Sequence, residues 1–275
     1  MNNARASNRR SPIVAMSLAL LGGILASSGC SVADLNTAQR QERGLVMVLP
    51  GIEGKSQYNI DIARGLDEGG VKMAIEIFDW TTEIPGGALI NLTDLERNRR
   101  MAEVLSSCIL QYRFHHPHQP VHMVAHSGGA GVAILTLEAL PQDADVSSAI
   151  LLAAAVSPTY DLRPALLRTR YGIYNYYSAY DKFLLDIGTR VFGTIDRVHG
   201  PAAGTMGFRM PWDMKEPQDQ ALYRKVHNIS WQPEMREHGN GGGHVDWANR
   251  QWVSYYLASL INDPRPLGVN PVDSP

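Results

Sequence analysis

Short apolar runs alternate with amphipathic segments along most of this chain. Residues 44–49 read Gly-Leu-Val-Met-Val-Leu, a continuous apolar run that is typical of a strand buried on both faces. Similar runs, rich in β-branched, aromatic or small apolar residues, predict five more strands. They cover residues 71–78, 121–125, 146–156, 173–178 and 226–231.

Segments with apolar residues at helical spacing lie between these strands. Residues 59–70 repeat apolar side chains on one face and end at a Gly-Gly pair. Residues 91–114 predict one long helix, for which Asn91 or Thr93 is the available N-cap. Two further helices are predicted over residues 130–140 and 252–261.

Strands that alternate with helices indicate an α/β fold, with a mainly parallel sheet, helices on both faces and right-handed crossovers. The pattern predicts one domain over residues 44–262, preceded by a linker at 31–43 and followed by a C-terminal tail at 263–275. In such sheets, ligands bind outside the carboxyl ends of the strands. Candidate chemistry is therefore expected in the loops that follow the strands.

The first thirty residues have the pattern of a targeting segment. Arg5, Arg9 and Arg10 precede an apolar run at residues 13–26, and small residues then lead to Cys30. The Ser-Gly-Cys ending resembles the lipobox of bacterial lipoproteins, although Ser27 stands where that family usually has Leu. The resemblance implies lipidation of Cys30 and an exported, membrane-anchored protein. Simple signal cleavage, which would leave a periplasmic or extracellular protein, and an uncleaved anchor are the alternatives.

Composition narrows the classes of function. The 275 residues carry a net charge of −2, and 44% are hydrophobic, which suits one sizeable domain. This charge implies no basic face, so a nucleic-acid partner is not expected. Cys108 is interpreted as a packed thiol. We expect no metal site, because the histidines at 115, 116 and 118 lack matching carboxylate or thiol ligands.

Candidate chemistry centres on Ala125-His126-Ser127-Gly128-Gly129, which joins a predicted strand to a predicted helix. A sharp turn there holds the Ser127 hydroxyl clear of the sheet beside a helix N-terminus, and it needs small residues at positions 125 and 129. The pattern resembles the nucleophile elbow of the α/β-hydrolases, Gly-x-Ser-x-Gly, with Ala in the first place. The resemblance implies an α/β-hydrolase fold and Ser127 as the nucleophile. Many members of that family insert a lid after the strand at 146–156, but here only residues 159–171 intervene, which is too short for a large cap domain.

A serine nucleophile needs a base and a carboxylate, which follow it along the chain in this family. Asp181, just past a predicted strand, matches the family's acid loop; Asp161 is the second choice, and Asp186 is expected to lie within a helix. His244 follows three glycines in the last strand–helix loop, where the family carries its base, and His238 is its competitor. His126 is expected to pack or to shape the pocket, and Asp246 is available to cap the closing helix.

The loop Pro50-Gly51-Ile52-Glu53-Gly54, after the first predicted strand, resembles the family's oxyanion loop. The resemblance implies that the N–H groups of Ile52 and Gly128 stabilise an oxyanion. A glycine-rich turn without a catalytic role is the alternative, whereas the spacing excludes a P-loop. Glu53 would place a carboxylate near the site, which favours a polar or cationic portion of the substrate.

These motifs together imply a serine hydrolase that cleaves a small-molecule ester without a cofactor. A thioesterase or amidase of the same fold and a non-catalytic binding protein at the cell surface remain alternatives. Ser127 disfavours a dehalogenase, which would need Asp at the elbow. The expected partners are an ester or acyl substrate and, through the N-terminal lipid or signal segment, a membrane. The excursion at residues 182–225 either walls an apolar acyl pocket or covers the sheet.

Overall fold

The computed structural model describes residues 32–82, 84–181 and 193–263. Cys30, Asp186 and most of the predicted C-terminal tail lie outside the described residues, so the predictions made for them stay predictions. No helix within the described ranges is both long and apolar enough to cross a bilayer.

Six strands form one sheet in which every pair is parallel. Their order across the sheet is β2-β1-β3-β4-β5-β6, so the third strand lies in the interior and the second at an edge. The predicted fold class, an α/β fold with a parallel sheet covered by helices on both faces, is confirmed. The strands are β1 Leu45–Leu49, β2 Ala74–Ile77, β3 Val121–His126, β4 Ser148–Leu152, β5 Ile173–Tyr177 and β6 Val226–Ser230.

Helices cover the two faces of this sheet, and they are numbered in chain order. They are α1 Ala38–Gln41, α2 Gln57–Glu68, α3 Gly87–Thr93, α4 Leu95–His115, α5 Gly128–Ala139, α6 Arg163–Leu166, α7 Ala203–Met206, α8 Pro217–Tyr223, α9 Arg250–Trp252 and α10 Ala258–Asn262. A wider π-type turn, Val253–Leu257, joins the last two into one continuous closing helix.

Alternate residues of β1 enter two separate cores. Met47 and Leu49 pack with α4 and α5 on one face, where Leu105 is fully buried. Val46 and Val48 pack with α2 and the closing helix on the other, where Trp252 is fully buried. Burial on both faces explains why the strand sequence is continuously apolar.

The prediction of one helix over residues 91–114 was wrong. The chain forms two helices that meet at Asp94, whose carboxylate accepts a hydrogen bond from the Arg97 N–H and so caps α4. The Asn91 side chain is unavailable as a cap because it bonds to Thr82 N–H and to the Ile52 carbonyl. Tertiary contacts therefore decided which of several cap-competent residues begins the helix.

The described part of the predicted linker is packed against the sheet. A 3-10 turn at Ala33–Leu35 and the short helix α1 follow one another there, and Val32 and Leu35 are buried. Arg40 holds the segment in place, because its guanidinium donates to the carbonyls of Met73 and Val71. These residues lie beside β2 and cover part of the sheet edge.

Candidate active site

Ser127 lies at a sharp turn between β3 and α5. Its backbone has φ 54° and ψ −118°, a conformation that costs a non-glycine residue about 1–3 kcal/mol. Two hydrogen bonds fix this turn to the chain at the end of β4: the Ser127 N–H donates to the Leu152 carbonyl, and the Ala155 N–H donates to the Ser127 carbonyl. The hydroxyl is thus held at the carboxyl end of the sheet, and the residue is 7% exposed.

Close approach of two backbones explains the glycine two residues after the serine. A Cβ atom on Gly129 would lie 2.3 Å from the Pro50 carbonyl oxygen and 2.9 Å from the Leu49 carbonyl oxygen. Any larger residue there would push α5 away from the end of β1. The small residue predicted for this position is therefore required by the contact between the elbow and the loop after β1.

The imidazole of His244 lies beside the serine hydroxyl. Its Nε2 is 2.9 Å from Ser127 Oγ, and its Nδ1 is 2.6 Å from Asp181 Oδ2. With Nδ1 protonated and donating to the carboxylate, Nε2 is free to accept the proton of the hydroxyl. The structure therefore brings the three predicted residues into one continuous chain of hydrogen bonds, although 117 residues separate the serine from the histidine.

Asp181 follows β5 in a tight turn, in which its N–H donates to the Ser178 carbonyl. The residue is 2% exposed, and its Oδ1 has no hydrogen-bond partner among the residues that the structure describes. A buried carboxylate of this kind is stabilised chiefly by its hydrogen bond to the imidazole, and that bond also fixes the orientation of the ring.

The loop that carries His244 is fixed by residues on both sides of it. Trp231, at the end of β6, donates from Nε1 to the Asn240 carbonyl at 3.0 Å, and the Asn240 side chain accepts the Gly242 N–H at 2.9 Å. Asp246 accepts the Gly243 N–H at 2.9 Å. The expectation that Asp246 caps the closing helix was therefore wrong, because Asn249 accepts the first N–H groups of that helix.

His126 makes a contact that the sequence did not reveal. Its Nε2 lies 2.9 Å from the His244 carbonyl oxygen, and the two imidazole rings are 4.9 Å apart. Burial, together with the charge of His244, lowers the pKa of His126 to about 3. The His126 ring is therefore neutral at neutral pH and donates from Nε2 to the His244 carbonyl. Its position next to the serine was the available signal, but its partner lies 118 residues away.

The loop after β1 is held by side chains from elsewhere in the fold. Trp80 donates from Nε1 to the Pro50 carbonyl at 2.8 Å, and the buried Asn91 donates to the Ile52 carbonyl at 2.9 Å. A Cβ on Gly128 would lie 2.6 Å from Ile52 Cγ2, so the loop and the start of α5 are in contact. The two residues predicted to supply oxyanion donors are therefore neighbours in space.

The competing candidates lie in other environments. His238 stacks on Tyr255 with 3.8 Å between ring centroids, and Asp161 forms an ion pair with Arg163 at 2.8 Å. Neither bonds to Ser127 or His244 within the part of the chain that the structure describes.

No family model and no curated protein matches the chain. Among solved structures, it is similar to the poly(3-hydroxybutyrate) depolymerase LpqC from Bordetella parapertussis at 15% identity and TM-score 0.49, covering 83% of each chain. Est1E from Butyrivibrio proteoclasticus shows 9% identity and TM-score 0.48, covering 82% of this chain and 92% of that one. A carboxylesterase from Mesorhizobium loti shows 12% identity and TM-score 0.40, covering 78% and 89%.

Proposed function

We propose that the protein is a serine hydrolase that cleaves carboxylic esters. The observation that carries this proposal is the hydrogen-bonded chain from Ser127 Oγ through His244 to Asp181, with distances of 2.9 and 2.6 Å. A serine hydroxyl is a poor nucleophile at neutral pH, and a correctly oriented imidazole is what activates it. The strained backbone at Ser127, which aims the hydroxyl away from the sheet, is the second support.

The reaction proceeds through an acyl-enzyme. His244 Nε2 takes the proton of the Ser127 hydroxyl as Oγ attacks the ester carbonyl carbon, and the ring becomes positively charged between the substrate and Asp181. The protonated ring then gives this proton to the leaving alkoxide, which departs as the alcohol. A water molecule attacks the acyl-enzyme by the same roles, so that Ser127 is regenerated and a carboxylic acid is released.

Two backbone N–H groups are proposed to stabilise the oxyanion of each tetrahedral intermediate. They belong to Ile52 and Gly128, and among the described residues neither N–H has a backbone acceptor. Gly128 is also the first residue of α5, where the helix dipole favours a negative charge. Each such donor contributes about 3 kcal/mol to transition-state stability.

Hydrolysis of short p-nitrophenyl esters and labelling by a fluorophosphonate test the proposal. We expect Ser127→Ala to abolish labelling by the fluorophosphonate. Both Ser127→Ala and His244→Ala should lower kcat by at least about 10³-fold. Asp181→Asn should lower kcat by roughly 10³–10⁴-fold, because the imidazole loses the partner that fixes its tautomer.

Matched controls separate these effects from general damage. Ser107→Ala changes an exposed serine on α4, and His238→Ala removes the competing histidine; both should retain labelling and turnover. Near-normal turnover by His244→Ala would contradict the proposed mechanism. A folded wild-type protein that neither reacts with the probe nor hydrolyses any ester, thioester or amide would instead favour the non-catalytic binding protein. Comparison of those three substrate classes also distinguishes an esterase from a thioesterase or amidase.

Export and anchoring are a separate proposal, which rests on the sequence of the first thirty residues. We propose that Cys30 is lipidated and tethers the enzyme to a membrane surface. Incorporation of a radiolabelled fatty acid into the wild type, and its loss in Cys30→Ser, is the expected result. Equal labelling of the two would contradict it.

A further inference from the structure

A closed turn at residues 194–198 lies across the start of α5. The Thr194 N–H and hydroxyl both donate to the Val198 carbonyl, at 2.9 and 3.0 Å. Arg197 has φ 68°, a left-handed backbone conformation that a non-glycine residue adopts only where its surroundings hold it. Its guanidinium donates to the Thr93 carbonyl at 2.8 Å. The 194–198 turn is therefore a defined structure that is tied to the end of α3.

Hydrogen bonds also connect this turn to Ser127. The Ile195 N–H donates to the Ala155 carbonyl at 3.0 Å, and the Ala155 N–H donates to the Ser127 carbonyl at 3.1 Å. The Asp196 carboxylate accepts the Ser157 N–H at 3.0 Å. The chain that follows β4 therefore fixes the position of Ile195 relative to Ser127.

The Ile195 side chain packs on the first turn of α5. A Cβ on Gly131 would lie 2.6 Å from Ile195 Cγ2, and a Cβ on Gly128 would lie 3.5 Å from Ile195 Cδ1. The two glycines are three residues apart, so they lie on one face of the helix. Ile195 is 2% exposed, and the end of its side chain reaches the residue that follows Ser127.

Ile195 and Gly131 also line a cavity of about 110 Å³ between α4, α5 and the chain that follows β4. An apolar cavity of about 150 Å³ is known to bind benzene, so this volume suffices for a chain of about four carbons. The apolar part of the lining is completed by Leu95, Ile134, Leu135 and Val156. Ile195 is therefore common to the cavity and to the surroundings of the nucleophile.

The polar side chains of the cavity lining already have partners. The Tyr160 hydroxyl donates to Glu138 at 2.9 Å, and Arg99 forms an ion pair with Glu96 at 2.7 Å. Asp196 is the third polar side chain, and it accepts the backbone N–H named above. A ligand in the cavity would therefore gain chiefly from apolar contacts, which favours a hydrocarbon chain over a charged group.

The proposed mechanism decides which part of an ester faces Ile195. The leaving oxygen takes its proton from His244, so the alcohol portion lies on the side of the imidazole. His244 contacts His126, the residue before Ser127, whereas Ile195 contacts Gly128, the residue after it. The acyl chain leaves the carbonyl carbon on the side away from the imidazole, which is the side of Ile195.

We propose that Ile195 determines the acyl-chain length of the substrate, because its side chain separates Ser127 from the apolar cavity. With isoleucine at this position the enzyme accepts esters of short-chain acids, and removal of the side chain joins the cavity to the site. This inference rests on the proposed function, to which it adds a substrate class and the residue that selects it. It gives the 194–198 turn the first of the two roles predicted for residues 182–225, that of a pocket wall.

The kcat/KM for p-nitrophenyl octanoate, divided by that for p-nitrophenyl acetate, tests the proposal. This ratio does not depend on the amount of active enzyme. We expect the wild type to prefer acetate and Ile195→Ala to raise the ratio by roughly 10–100-fold, since each methylene that enters an apolar cavity adds about fourfold to affinity. Leu167→Ala, which truncates an exposed leucine after α6, is the matched control and should keep the wild-type ratio.

Two comparisons show where the longer chain binds. Octyl acetate carries the same chain on the alcohol side, so Ile195→Ala should change its kcat/KM relative to ethyl acetate by less than about threefold. Leu135→Phe refills the cavity, so a double variant with Ile195→Ala should lose most of the gain in the octanoate ratio. Should Ile195→Ala not fold, Ile195→Val replaces it, and the loss of one methylene should raise the octanoate ratio by about threefold.

Four outcomes would overturn the inference. A folded Ile195→Ala with the wild-type octanoate ratio, beside an active wild type, would refute the role of Ile195 and leave the proposed function intact. An equal gain for octyl acetate, or a gain that survives Leu135→Phe, would show that the acyl chain does not enter the cavity. A wild type that already prefers octanoate would contradict the separation of site and cavity. A wild type without any hydrolytic activity would contradict the proposed function and this inference together.

Discussion

Substitution of Gly129 by alanine places a methyl group between two backbones. The added carbon would lie 2.3 Å from the Pro50 carbonyl oxygen, about 1 Å inside an ordinary carbon–oxygen contact of about 3.3 Å. Neither α5 nor the end of β1 can move without loss elsewhere, since that same oxygen accepts the Trp80 indole N–H at 2.8 Å. Overpacking costs about 1–3 kcal/mol and a weakened hydrogen bond about 1 kcal/mol.

The gain in helix propensity offsets part of this cost. Alanine is about 1 kcal/mol better than glycine in a helix, which leaves a net loss of roughly 1–3 kcal/mol in the free energy of unfolding. For a domain of this size, the thermal midpoint should fall by roughly 3–9 °C. The same displacement separates the loop after β1, which carries the proposed oxyanion donor Ile52, from Gly128, so we expect ester turnover to fall by about 100-fold.

Urea unfolding, followed by tryptophan fluorescence, measures the stability of Gly129→Ala beside Gly128→Ala. A Cβ on Gly128 meets one side-chain methyl carbon, Ile52 Cγ2, at 2.6 Å and no backbone atom within 3.4 Å, so Gly128→Ala should lose less stability than Gly129→Ala. The m-value should stay constant if only the native state changes. A Gly129→Ala protein as stable as the wild type, or more stable than Gly128→Ala, would refute the reasoning.

Three further predictions concern stability and turnover. Burial lowers the pKa of His122 to about 4 and that of His126 to about 3, so the unfolded chain binds more protons below pH 6.5. The free energy of unfolding should therefore fall as pH drops from about 6.5 towards 4. In urea titrations at a series of pH values, His122→Gln should reduce the slope of this free energy against pH by up to about 1.4 kcal/mol per pH unit. An unchanged slope would contradict this prediction. Asp94→Ala removes the α4 cap and should lower the free energy of unfolding by about 1 kcal/mol in the same urea assay. An unchanged urea midpoint would contradict this prediction. Asn91→Ala removes the hydrogen bond to the Ile52 carbonyl and should lower kcat about tenfold. Turnover equal to that of the wild type would show that Asn91 does not position the loop for catalysis.

Local patterns predicted the interior strands β1, β3 and β4 well because these strands are buried along their whole length. A continuous apolar run is required wherever both sides of the sheet are covered, as along β1 and β4, so the signal is strong and local. The order of serine, acid and histidine along the chain was likewise readable, since each residue follows a predicted strand. Parallel strands then bring those three strand ends to one edge of the sheet.

Contacts between distant residues are what the sequence could not supply. Asn91, Thr93 and Asp94 are all competent helix caps. Asn91 bonds to Ile52 and the Thr93 hydroxyl donates to the Leu89 carbonyl, so Asp94 caps the helix. Asp246 and Asn249 could each cap the closing helix. Asp246 accepts the Gly243 N–H instead, and Asn249 is the cap. The position of His126 next to the serine pointed to the site but not to its partner, the His244 carbonyl. In each case the deciding partner is a backbone group. Because every residue carries such groups, the sequence does not show which of them forms the bond.

The separation of the proposed catalytic groups along the chain has a consequence for biogenesis. The donor loop follows the first strand, the serine follows the third, and the imidazole follows the sixth, near the end of the described chain. A growing polypeptide therefore lacks the proposed site until β6 has joined the sheet and the loop that carries His244 has closed. Under the proposed function, ester turnover would begin only after the chain has been synthesised and folded past residue 244.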